Sequence, residues 1–478
     1  MPLVPALCRA SVAVIFFLGA SAAQASIAFH VTVTTERVNK PGVKTSLAAR
    51  DTQDSDVVLG EHFISVRDGK SLSVLDFATR RRHVIDTAAS TYDTYSLFDV
   101  AGFRRFEIGH RKGMAGALQA GGLQAHVTPL VYEEQSLSVP AARRRNALLP
   151  RVLDGAVLWS LDEQPLLRLG IAGSPVSGDD AVAFAQYLRY TWGGHPLVLK
   201  MLAGGKRIPA AFTLHYQEVG GAVTRHFRIS RLVMDAPATY SLAAYRPRPL
   251  AADASPLERV LAQAARLPPL GPQAHPALRA EAERLFAEEK PFDAFLSMLE
   301  DHFSTGALVE KLTPQQQLAM QECQPIHDLT RALLAKDKEG IQAALATVQA
   351  SRKQTGLDQP VLALFEGNLR AKLGQWPEAT ALYLQVLQAK PHMAAVYQDL
   401  GDALLAQFDA PNAWRSWDAG RAMAPSLRQF RKVNDLERSL LHDYPAFFAG
   451  GATLAPEVQP STSRPASKTK TVGSTNLP

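Results

Sequence analysis

The sequence predicts an α+β chain: an N-terminal antiparallel β-rich domain with covering helices, followed by an all-α array of helical hairpins. Three observations predict it. Ile27, Phe29, Val31 and Val33 alternate with Ala28, His30, Thr32 and Thr34, and short apolar runs between turn signals continue to about Tyr245. A period of two is that of half-buried strands. From Pro360 to Leu427, two segments align at a 34-residue offset. Gly367 then falls on Gly401, Ala379 on Ala413, Tyr383 on Trp417, and Pro391 on Pro425. A fixed period of this size marks a stacked helical array. Between the two regions, Pro247, Pro249, Pro256, Pro268, Pro269, Pro272 and Pro276 crowd together, as in a stiff connection.

A chain of 478 residues is expected to hold two or three domains. With 46% apolar and 20% charged residues, disorder does not dominate it. The net charge of +6 is small for this length and does not argue for nucleic acid. The clusters Arg80-Arg81-Arg82 and Arg143-Arg144-Arg145 read as solvated turns. Residues 1–25 read as a secretory signal peptide. Arg9 precedes the short apolar run Ser11 to Ala20, and Ala23-Gln24-Ala25 is a small-x-small cleavage signal. Cleavage after Ala25 would remove Cys8 and leave Cys323 alone, so no intramolecular disulfide and no cysteine metal site are expected. No later stretch is apolar enough for a transmembrane helix.

Residues 26–248 form the β-rich domain. Phe63 to Val66 and Leu72 to Leu75 flank the turn Asp68-Gly69, and Val74 to Phe77 and His83 to Asp86 flank Ala78-Thr79-Arg80, giving a three-stranded meander. Tyr92 to about Leu123 is read as a helix stopped by Gly121-Gly122. Val157 to Leu161 and Leu166 to Leu169 are strands, and Asp179 to Tyr190 is a helix capped by Asp179 or Asp180. Ala211 to Tyr216 and Arg225 to Ile229 pair across Gly220-Gly221, with Tyr240 to Tyr245 as a last strand.

Residues 249–274 are a proline-rich linker with a short helix around Leu257, Val260, Leu261 and Ala264. The array covers 275–445. It has degenerate hairpins at about His275 to Leu308 and Pro325 to Gln359, an extra helix or insertion between them, and clear repeats at 360–393 and 394–427. Leu427 to Tyr444 is a closing helix, apolar along Phe430, Val433, Leu436, Leu440 and Leu441 and charged opposite. Residues 446–478 are a tail, and from Pro456 on it has almost no large apolar residue and is expected to be disordered.

The small–aromatic–proline spacing of the repeats, with Gly374-Gln375-Trp376-Pro377-Glu378-Ala379 at the turn, resembles the tetratricopeptide repeat. The second copy departs from the pattern at its turn, Phe408-Asp409-Ala410-Pro411-Asn412. Glycine mid-helix costs about 1 kcal/mol relative to alanine, so Gly367 and Gly401 imply close helix approach, with Ala379 and Ala413 facing them. Tyr383 and Trp417 fill the gap one turn on, and Pro391 and Pro425 end the second helices. The resemblance implies a partner-binding inner face lined by Leu364, Asn368, Ala371 and Lys372 in one copy and by Ala395, Gln398, Asp402 and Leu405 in the next. Asn368 and Lys372 suit a peptide carboxylate, whereas Asp402 would repel one.

The β-rich half resembles, loosely, the half-barrel of periplasmic lipoprotein carriers, through the hairpin Val74 to Asp86, the strand start Arg207-Ile208-Pro209 and the closing Tyr245-Arg246-Pro247. In that fold a concave apolar face shelters an acyl chain. The residues leave open whether this sheet shelters a ligand or packs only its own helices.

Catalytic, metal and cofactor motifs do not stand out. His195 in Gly193-Gly194-His195-Pro196 is the one loop histidine beside two glycines, and such a residue is usually part of a turn. Cys323 reads as a small apolar residue. Three functional expectations follow. The first is a non-enzymatic periplasmic scaffold that docks a protein partner in the envelope. The alternative is a carrier of lipid or lipoprotein acyl chains. An enzyme using His195 is a third.

Overall fold

The alternation at the N-terminus builds the central strand of a large sheet. β1 (Ala25–Asn39) buries Ile27, Phe29, Val31 and Val33. Its polar residues face the other way, where Thr32 Oγ1 donates to Asp54 at 2.6 Å and His30 Nδ1 lies 2.8 Å from Asp56. The computed structural model describes residues 25–40, 47–122, 127–141, 147–218, 220–237, 239–270, 276–307, 312–355 and 359–449. The leader, Arg143 to Arg145 and residues 450–478 lie outside these.

β1 pairs on one side with β2 (Arg50–Leu59). The meander follows as β3 (Phe63–Asp68), β4 (Ser71–Asp76) and β5 (Arg81–Asp86). β6 (Thr91–Ser96) pairs with β5 along its whole length. The helix expected from Tyr92 therefore starts later, as α1 (Leu97–Ala120). Thr91, Tyr92, Thr94 and Tyr95 are β-branched or aromatic and suit a pleated edge. Ser96 ends the strand and caps the helix, its Oγ accepting from the Phe98 N–H at 3.2 Å.

After α2 (Leu130–Leu137), the chain forms β7 (Leu149–Leu153), β8 (Ala156–Leu161), β9 (Gln164–Gly170) and β10 (Gly173–Pro175). α3 (Gly178–Thr191) is capped by Ser177, which exchanges hydrogen bonds with Asp180 in a capping box, so the cap lies before the aspartates. α4 (Pro196–Gly204), β11 (Arg207–Pro209), β12 (Ala211–Glu218) and β13 (Gly221–Pro237) follow. Tyr240 to Tyr245 is not a strand. Tyr240 instead sends its hydroxyl to Asp76 and packs its ring 5.1 Å from Phe63. Only β14 (Arg246–Pro247) joins the sheet, parallel to β6. Among the described residues the large sheet has twelve strands, in the order β14-β6-β5-β4-β3-β2-β1-β13-β12-β9-β8-β7. One face packs on α3: Phe184 and Tyr187 meet the Phe29 ring at 6.1 and 5.8 Å.

Beyond the linker helix α5 (Pro256–Ala264), the chain is helical. α6 (Pro276–Ala287) and α7 (Pro291–Thr305) form one hairpin, and α8 (Pro314–Glu322) is the inserted helix. α9 (Gln324–Leu333) and α10 (Lys338–Thr355) form the next hairpin. The two clear copies are α11 (Pro360–Lys372) with α12 (Trp376–Ala389), and α13 (Ala394–Ala406) with α14 (Ala410–Met423). α15 (Arg431–Asp443) closes the array.

The array is fastened to the sheet region at several points. Gly102 of α1 lets the Trp414 ring lie where a Cβ would be, 2.3 Å from it. Arg81 pairs with Asp418 of α14, whereas Arg82 stays within the sheet region, reaching Asp99 of α1 at 3.3 Å. The Arg80–Arg82 cluster is thus partly spent on internal pairs, not wholly on solvent. Arg415 grips Glu258 of α5 through both guanidinium nitrogens, at 2.5 and 2.8 Å. The last described residues matter most. Pro445–Phe447 is a short 3-10 helix, and Phe447 and Phe448 are 1% and 2% exposed. The packed structure therefore runs past the boundary expected at 446, because two large rings there find an apolar slot. Phe448 packs 4.9 Å from Phe98, the Tyr190 hydroxyl donates to the Phe447 carbonyl at 2.7 Å, and the Gln186 amide to that of Ala449 at 2.8 Å.

Candidate functional site

His195 has a carboxylate neighbour. The Gly193-Gly194 turn between α3 and α4 has φ of 89° and 132°, a region that suits glycine. A Cβ on Gly193 would stand 2.9 Å from the carbonyl oxygens of both Gln135 and Ser136. The turn thus presses backbone to backbone on α2. The Gly194 N–H donates to the Gln135 carbonyl at 2.7 Å. The Gln135 side-chain amide donates to the carbonyls of Leu166 and His215 at 3.2 and 3.3 Å, on β9 and β12. His195 caps α4: its Nδ1 accepts from the Leu197 N–H at 3.2 Å. That assigns the ring proton to Nε2, which points at Glu134 Oε2, 3.2 Å away. The other Glu134 oxygen accepts from the Ala141 N–H at 2.7 Å. Both residues are buried, His195 at 2% and Glu134 at 0% exposure. A general base must reach the proton it removes, and both ring nitrogens here are engaged inside the fold. The pair ties α2 to α4.

The clear hairpins place their landmark residues as close contacts. A Cβ on Gly367 would fall 2.6 Å from the Tyr383 ring, and one on Gly401 would fall 2.3 Å from the Trp417 indole nitrogen. The aromatic rings lie nearest the glycines, and the Ala413 carbonyl also faces Gly401, 2.9 Å from its Cβ position. The two alanines are fully buried beside them.

The residues assigned to a partner divide into two groups. Leu364, Ala395 and Gln398 are buried, and Leu364 has no surface left for a partner. α7 lies against both α11 and α13, so the chain's own helix covers part of that face. Phe303 of α7 meets Phe365 at 5.9 Å, and Glu300 accepts from Lys390 at 2.8 Å and lies 3.1 Å from His392 Nε2. Lys372 and Asp402 are exposed, and Asn368, Ala371 and Leu405 are half-buried.

Around the second group runs a polar chain. The Tyr383 hydroxyl donates to Asn368 Oδ1 at 2.7 Å, Asn368 bonds Asp399, and Gln398 bonds Asp402. Burial, reinforced by the charge on Asp402, pushes the Asp399 carboxyl up to about 7, against the pull of Lys432 and Asn368. Burial also pushes Asp402 up, opposed by Lys432, Gln398 and Trp417. Two carboxyls one turn apart, Asp399 half-buried and Asp402 at the surface, favour a proton or a cation between them. Asp399 was not among the sequence candidates. Its signal was there, as the one other acid on the otherwise apolar AAVYQDLGDALLA helix.

Among the described residues, no group of three or more metal-ligating side chains could hold a metal, and no helix is long and apolar enough to cross a membrane. Cys323 is half-buried and free. No family model matches the chain, and no curated protein matches it in sequence. The fold defines an antiparallel sheet with flanking helices, joined to a region of closely paired helices that offers surface for protein contacts.

Proposed function

We propose that this chain is an exported, periplasmic adaptor whose tetratricopeptide-like array docks a protein partner in the cell envelope. The observation that carries the reading is the acidic pair on the inner face, where half-buried Asp399 and exposed Asp402 interact one turn apart beside Asn368 and Lys432. Such a site favours a partner segment bearing a lysine or arginine over one ending in a free carboxylate. The leader-like N-terminus supports export. The sheet serves as the mount. Its inner layer is filled by rings, with Phe212 and Phe227 stacked at 4.4 Å and Phe29, Phe184 and Tyr187 beside them. That packing favours a platform over an acyl-chain carrier.

The test is a photo-crosslinking residue placed at Lys372, and separately at Ala371, in the full chain in cells. Both positions are expected to trap the same protein. Asp399→Lys with Asp402→Lys is expected to abolish the adduct while circular dichroism stays unchanged. Adducts that form only from the outer sheet face, at Thr32 for example, would count against the array as the docking element.

A further inference from the structure

A groove of about 760 Å³ runs between the second half of α1 and the end of the array. Gly102, Gly109, Gly113 and Ala117 lie along it on α1, and Leu405, Trp414 and Leu436 face them from α13, α14 and α15. At 1.5 Å per residue, the stretch from Gly102 to Ala117 is about 22 Å long, or about four helical turns.

The glycines differ in what they accommodate. Gly102 makes room for the Trp414 ring, as described. A Cβ on Gly109 or on Gly113 would meet no atom within 4 Å. Glycine weakens a helix interior, and no described residue uses the space these two leave. They let another backbone approach α1 closely. The rim is apolar and open to water: Phe106, Met114 and Phe408 are 44%, 55% and 43% exposed. Large exposed apolar residues grouped round one groove mark a contact surface.

Charge selects the occupant. Among the described residues the groove is lined by Arg105 and His110 and by no carboxylate. Arg105 donates to Ser439 at 2.7 Å and stays 4.0 Å from Asp443, beyond hydrogen-bond reach. The acidic residues of α1 are committed elsewhere, Asp99 to Arg82 and Glu107 to Arg111. Lys112 is exposed, with only a 3.4 Å bond to the Ala141 carbonyl.

We propose that this groove is a second docking surface, and that it takes an amphipathic helix of a partner protein with an apolar stripe and acidic flanks. The stripe settles over Gly109 and Gly113 between Met114 and Leu436, and a flanking carboxylate meets Arg105. A second copy of this chain fits less well, since it would bring a basic α1 against a basic α1. Leu405 borders both surfaces, but Gly109, Gly113, Met114 and Arg105 belong to this one alone, so either reading can fail without the other.

The experiment uses the full chain and two helical peptides of about 18 residues. Both carry a leucine stripe at i, i+3, i+4 and i+7, one flanked by glutamate and one by lysine. Binding is read by fluorescence anisotropy. The glutamate peptide is expected to bind about tenfold more tightly than the lysine peptide, the scale of one charge contact. Arg105→Gln should narrow that preference. Gly113→Leu should weaken the glutamate peptide about tenfold or more while the melting temperature holds or rises, because the side chain enters empty space. Met114→Glu on the exposed rim is a second variant that leaves the interior alone, and it should weaken the same peptide. Equal binding of the two peptides, or binding indifferent to both Gly113→Leu and Met114→Glu, overturns the proposal. So does a concentration-dependent dimer lost in Gly113→Leu, which would assign the groove to a second copy.

Discussion

Replacing Asp399 by asparagine should stabilise the protein, and only above a certain pH. The carboxyl sits beside Asp402 with Asn368 as its hydrogen-bond partner, and burial lifts it to about 7 from an ordinary value of 3.8. An acid lifted in this way binds its proton more tightly in the folded state. Its effect is therefore harmless below about pH 4, where it is protonated folded or unfolded. Stability falls as the pH rises from about 4 to about 7, and the full cost remains above that. At about 1.36 kcal/mol per tenfold step in the proton equilibrium, the gap sets a ceiling of about 4 kcal/mol. Asp399 is only half-buried and its neighbour titrates with it, so about 2 kcal/mol is the working figure. Asparagine keeps the shape and the bond to Asn368 without the charge. The assay is urea unfolding of wild type and Asp399→Asn at pH 5 and pH 8. Part of the cost is already present at pH 5, so the variant should gain about 1 kcal/mol more at pH 8 than at pH 5. An equal difference at both pH values, or a wild type that gains stability between them, would refute the account of this site.

Three further outcomes follow from contacts already described. Gly102→Val puts a side chain into the Trp414 ring, which a Cβ would already meet at 2.3 Å. It should cost about 1–3 kcal/mol, and limited proteolysis should then cut between sheet and array. Phe447→Ala removes a ring that lies 5.0 and 5.7 Å from the guanidinium groups of Arg189 and Arg104. A loss of about 3–5 kcal/mol is expected in thermal unfolding, and no loss would show the slot to be dispensable. Gly193→Ala must hold a φ of 89° and crowd two carbonyl oxygens. It should cost at least about 2 kcal/mol, read as a lower melting temperature with α2 exchanging amide protons faster.

How far the fold was legible depends on whether a signal was local. The 34-residue register was written in glycine, aromatic and proline at fixed offsets, and both hairpins formed where those residues fell. The meander from Phe63 to Asp86 was legible for the same reason, because its turns and alternation lie within a few residues. β6 was misread because Phe98 and Phe103 carry on an apolar pattern beyond it, while its strand character comes from pairing with β5. β7 was missed because all five of its residues are exposed, so no burial period marks it. At the candidate sites, the polar positions Asn368, Asp402 and Lys372 were readable from helix spacing. The burial of Leu364 was not, since it depends on α7 returning from a separate part of the chain to lie on α11 and α13. His195 was singled out for its glycines, and its partner Glu134 lies 61 residues away in sequence.

The anchoring of Phe447 and Phe448 bears on the order of events during biosynthesis. Gln186 and Ala449 are 263 residues apart, so a slot made by early helices is filled by residues that follow the whole helical array. A ribosome or translocon delivers the chain from its N-terminus. The sheet and its helices must therefore wait, with an apolar seam open, until the whole array has emerged. Loop closure over such a span is slow, and an open seam invites aggregation or a chaperone. A stop codon shortly before Pro445 would thus do its damage at the opposite end of the sequence, where the first domain would keep the unfinished seam of a nascent chain.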